Sequence, residues 1–144
     1  MRKHPYTQLL ERKRTWTPVQ PTKGEVKYGA EETIKRALAI RHMELPVGEF
    51  IREGLEKEVP HTARTLLESN VQDEIKHDLA LGYIVESHGA DPRAEYEAKR
   101  LRDAWIEHPD HTITKALVAE RAIFFVLLPF FRFTGDPALR TVSA

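Results

Sequence analysis

From Gly29 onward the apolar residues recur every three or four positions, the spacing of one helix face, whereas residues 1–29 show no sustained period. The pattern predicts a first helical region over 30–58, in which Pro46 and Gly48 mark the place for a kink. A second helix covers about 60–88, with Pro60 in its first turn and Gly89 at its stop. Asp91 and Pro92 open a third, strongly charged helix that ends near Glu107, before Pro109. A fourth, capped by Asp110 or Thr112, spans about 111–133 and carries Pro129 inside it. "TGDP" at 134–137 reads as a turn, after which Asp136 and Pro137 begin a helix of about two turns. No strand alternation lasts more than a few residues, so the predicted class is all-α. Residues 1–29, punctuated by Pro5, Pro18, Pro21, Gly24 and Gly29, predict an extended N-terminal tail that docks on the body or on a partner.

Polar residues interrupt the apolar stripes. Stepping by three and four aligns Ala37, Ile40, Glu44, Val47, Ile51 and Leu55 in the first region. In the second helix Leu67, Asn70, Glu74, His77, Leu81 and Ile84 share a face, and in the fourth Ile113, Leu117, Glu120, Phe124, Leu127 and Phe131 do. Three carboxylates and one imidazole thus fall on the most apolar stripes of three separate helices. A buried carboxylate with no partner is costly or stays protonated, so something must compensate these groups. Arg41 and Arg121 are near in sequence, yet they lie about 60° and about 100° round their helices from Glu44 and Glu120. A pair of divalent cations satisfies all four groups, and iron and manganese accept carboxylate and imidazole donors. A lone Glu-x-x-His is weak grounds for a metal, and one acid on an oily face is commonly an error of phase. The coincidence on three helices is what selects the metal reading.

Composition narrows the chemistry. The 144 residues suit one domain with a real core. No cysteine is present, which excludes disulfides, thiolate ligands and cysteine nucleophiles. The 22 basic and 22 acidic residues cancel, so no global field favours nucleic acid or an anionic membrane. The most apolar run, "AIFFVLLPFF", is too short to span a bilayer, and positions 1–14 do not read as a signal peptide. A cytoplasmic protein is expected. His108 and His111 flank Pro109 in a loop and read as a helix cap rather than as ligands.

Glu44, Glu74 with His77, and Glu120 together resemble the ligand pattern of the ferritin-like di-iron carboxylate superfamily. There a helical bundle supplies one Glu from each of two helices and a Glu-x-x-His from each of the other two. The stretch "ALVAERAIFFVLLPFFRF" is most similar to the matching helix of ribonucleotide reductase small subunits. The resemblance covers residues 30–144 and implies a ferritin-like helical bundle holding two iron ions, or iron and manganese, that activate dioxygen for an oxidation. It implies ligands at Glu44, Glu74, His77 and Glu120, and an orienting acid at Asp73. It implies a pocket lined by Leu81, Phe124, Leu128 and Phe131.

Two departures qualify the resemblance. The second Glu-x-x-His is absent, so the bundle is expected to be incomplete: three of four core helices plus the start of the fourth. A complementary C-terminal polypeptide or a homo-oligomer then supplies the missing donors; the alternative is a catalytically inactive scaffold or interaction protein. The position of the radical-storing tyrosine of small subunits holds Leu81, and Tyr83 lies on another face.

Overall fold

The computed structural model describes residues 2–143. Met1 and Ala144, the outer ends of the predicted tail and bundle, lie outside the described residues. Every regular element among those residues is helical: α1 (Pro5–Arg12), α2 (Glu31–Leu38), α3 (Glu44–Leu55), α4 (His61–His88), α5 (Pro92–Glu107), α6 (Thr112–Val118), α7 (Phe124–Thr134) and α8 (Pro137–Val142). None of these is long and apolar enough to cross a membrane.

The punctuation residues act as their chemistry requires. Gly89 ends α4 at φ +86°, and its amide donates to the Val85 carbonyl at 2.8 Å. The Asp91 carboxylate accepts from the Arg93 and Ala94 amides at 2.9 and 3.0 Å, capping α5. The cap of α6 is the His111 ring, accepting from the Ile113 amide at 3.3 Å, and not Asp110 or Thr112. The N-terminal tail is not extended throughout. Pro5 and the His4 ring start the short α1, and only from Lys13 is the backbone extended.

Two irregular turns set the phase of the core. The first helical region breaks at a 3-10 turn over Ala39–Met43, not at Pro46 and Gly48. A proline ring crowds the carbonyl four residues earlier, here that of His42, so the distortion falls one turn upstream. Six α-helical steps would leave Glu44 about 120° round from Leu38; 3-10 steps of about 120° wind it back into line. Leu38 and Glu44 are accordingly both buried, while Ala37 and Ile40 are only half-buried. In the fourth region a π turn, Ala119–Ile123, separates α6 from α7. Upstream the buried stripe is Thr112, Lys115, Ala116 and Ala119; downstream it is Phe124 and Phe131. One extra residue per turn reconciles the two, and Leu117, expected inside, is exposed.

The core has two apolar clusters. One joins Ile34, Leu38, Leu81, Ile84, Phe131 and Leu139, from α2, α4, α7 and α8. The other joins Val47, Phe50, Ile51, Val71, Ala116 and Ala119, from α3, α4, α6 and the first residue of the π turn. Along each long helical run the polar residues fall in the interval between them: Glu44 after Leu38 and before Val47, Glu74 and His77 between Val71 and Leu81, Glu120 between Ala119 and Phe131. Helix α5 has no fully buried residue, as its charged pattern predicts, and touches the core through the half-buried Trp105, which packs against the second cluster.

Candidate metal centre

Glu44 opens α3, directly after the 3-10 turn; Glu74 and His77 stand one turn apart on α4. Gly48 allows the two helices to meet here, since a Cβ at that position would stand 3.3 Å from the Glu74 Cβ. One donor atom each from Glu44, Glu74 and His77 lies within 4.8 Å of the others. His77 Nδ1 is 3.4 Å from Glu74 Oε2 and 3.6 Å from Glu44 Oε2. Glu44 and Glu74 are 2% and 3% exposed, and no lysine or arginine among the described residues pairs with either. Glu120, in the π turn, lies outside this close group but faces the same cavity.

That cavity is about 190 Å³ in volume. Glu44, His77 and Glu120 form its polar side, and Ala80, Leu81, Phe124 and Leu128 its apolar side. Trp16, Val142 and Ser143 complete the wall. Phe131, expected in this lining, packs instead in the cluster with Ile34 and Leu38, because the π turn sets the rotation of α7. Asp73, expected to orient an incoming histidine, is engaged by the tail: its Oδ2 meets Lys13 Nζ at 2.5 Å.

Burial drives the Glu44 carboxyl up to about 8, with the His77 imidazole opposing and Glu74 adding. Burial alone would lower His77, but hydrogen bonding and attraction from Glu44 and Glu74 prevail and raise it to about 10. Burial, then repulsion from Glu74, lifts Glu120 to about 7. Glu44 Oε2 and Glu120 Oε1 are nonetheless buried without a hydrogen-bond partner among the described residues. Both oxygens belong to residues that line the cavity. Nitrogen and oxygen donors so arranged can hold a metal ion at Glu44, Glu74 and His77, with Glu120 a further carboxylate facing the cavity.

Two features have little sequence signal. The Trp16 ring stacks on His77, centroids 5.6 Å apart at 19°, although the tail has no apolar period. Its only flag is being a large apolar side chain in a polar stretch. Asp136, fully buried, accepts from the Leu139 and Gly24 amides at 2.9 and 2.8 Å and meets His88 Nε2 at 3.0 Å. Burial pushes its carboxyl up, but the two amides and His88 outweigh that and lower it. This network ties the tail, α4 and α8 together; the sequence shows only the helix cap.

Fold and cluster define a class: an all-α protein in which two buried carboxylates and a half-exposed imidazole meet beside a cavity. No known protein family, curated protein or solved structure matches the chain.

Proposed function

We propose that the chain binds a divalent transition-metal cation through Glu44, Glu74 and His77, with Glu120 joining as the site fills. On this reading it is a ferritin-like carboxylate-metal protein, similar to ribonucleotide reductase small subunits, whose full two-metal centre needs a partner chain or a second copy. The observation that carries the reading is a close donor group with two partnerless buried carboxylate oxygens on one cavity. Iron, or iron with manganese, would supply redox chemistry with dioxygen there. The chain's own part is to hold the cation, to exclude water with Ala80, Leu81, Phe124 and Leu128, and to keep an oxidisable phenol away. Leu81, buried in that wall, takes the position that the resemblance assigns to a radical-storing tyrosine. Phe125, Val126 and Phe133 are largely exposed on α7, which supports an apolar partner surface beside the site.

The test is anaerobic titration with ferrous iron and metal counting. Weak binding to the chain alone, removed by Glu74→Ala, is expected; equal stoichiometry in that variant contradicts the reading. A second reading has its own observation: His77 bridges both carboxylates and, as an imidazolium, serves as their counter-ion in a metal-free scaffold. In that case Glu44→Leu folds normally and no cation changes the stability of either protein.

A further inference from the structure

The N-terminal segment contributes Trp16 to the wall of this cavity, and its pattern of attachments is uneven. Lys13 fixes one end on α4, its Nζ meeting Ser69 Oγ at 2.6 Å, Asn70 Oδ1 at 2.8 Å and Asp73 Oδ2 at 2.5 Å. Gly24 fixes the other end, its amide donating to the buried Asp136 carboxylate at 2.8 Å. Between these anchors the backbone amides of residues 14–23 have no protein partner among the described residues. The one side-chain tie across that interval is Gln20 to Glu86 at 3.1 Å, on the exposed surface. Thr17, Val19, Gln20, Thr22 and Lys23 all face solvent. Of this segment Trp16 alone lines the cavity, stacked on His77, with Lys76 Nζ 5.8 Å from its ring centre.

We propose that residues 13–24 form a strap and that Trp16 is its door, so that a cation or small molecule exchanges with the cavity faster when the strap lifts between two fixed anchors. The geometry suits a local opening. Lifting the door breaks the ring stack, the Lys76 contact with the indole and at most the exposed Gln20–Glu86 tie, and no backbone hydrogen bond, while both anchors stay in place. The cation's role in this inference rests on the metal reading above; the door itself does not.

A test independent of metal uses the absence of native cysteine. Ala80→Cys places a thiol in the cavity wall, and Ala39→Cys, equally buried but outside that wall, reports wider unfolding. Labelling by a small neutral thiol reagent is timed with Trp16 present and with Trp16→Ala. The expected result is labelling at position 80 about tenfold faster without the indole, with position 39 unchanged, the size of a modest shift in a local opening equilibrium. Lys13→Ala should speed position 80 in the same way, and Trp16→Phe should fall between. Equal rates at position 80 with and without Trp16 overturn the strap, as does equal acceleration at position 39. In parallel, stopped-flow mixing of the full chain with Mn(II) should show association and dissociation both faster in Trp16→Ala, with the ratio nearly constant. If Mn(II) binds neither protein while position 80 still opens faster, the metal reading fails and the strap stands.

Discussion

Glu44 is the residue on which the account presses hardest, because a 2% exposed acid with a partnerless oxygen is unfavourable unless something binds it. Replacing it by Gln keeps the shape and removes the ionisable group, so that folding no longer has to protonate a carboxylate. The metal-free Glu44→Gln chain should gain stability, about 1–3 kcal/mol, the scale of a buried polar penalty. It should also lose any rise in melting temperature on adding Mn(II); thermal melts with and without the ion check both halves. This residue, like Glu74 and His77, was legible in the sequence because apolar neighbours three and four positions away flank it. Trp16 and the His88–Asp136 pair were not: they come from segments far apart in the chain, and the tail that carries Trp16 and Gly24 has no period to read. Phe131 was misplaced for a related reason, since its face depends on a turn that a constant step cannot anticipate.

At the level of elements, the two irregular turns decide where the acids point. The sequence showed that a break was due near Pro46, but not that it falls at residues 39–43 and rotates α2 into line with α3. It gave no warning of the π turn, because Ala119–Ile123 contains neither glycine nor proline. Deleting the exposed Ala122 should convert that turn to ordinary α-helix and join α6 to α7. Helix content by circular dichroism should be kept, and cation affinity should fall at least about tenfold as Glu120 swings away from the cavity. Unchanged affinity would mean that Glu120 contributes nothing. Gly48 gives a second handle: Gly48→Leu wedges α3 from α4 at Glu74, at a cost of about 1–3 kcal/mol in urea melts, and should weaken cation binding as well.

For the whole molecule, the titrating groups set a pH dependence with a definite sign. Glu44 and Glu120 are raised from 4.5 to about 8 and about 7, and His77 from 6.5 to about 10. The folded chain therefore holds protons that the unfolded chain has released. That contribution is fully present below the unfolded values and is lost as pH rises through the folded ones. Asp136, lowered from 3.8, acts in the opposite sense and matters only in acid. Urea midpoints of the metal-free protein should thus fall from about pH 5 to about pH 10, and fall less in Glu44→Gln. The same protons must leave before a cation can take their place, which makes proton release the most direct sign of the proposed site. Calorimetric titration of the metal-free chain with Mn(II), in two buffers of different ionisation enthalpy near neutral pH, reads it. The account predicts saturable binding with net release of protons, abolished by Glu74→Gln. Absence of binding, or an identical isotherm in that variant, would contradict it.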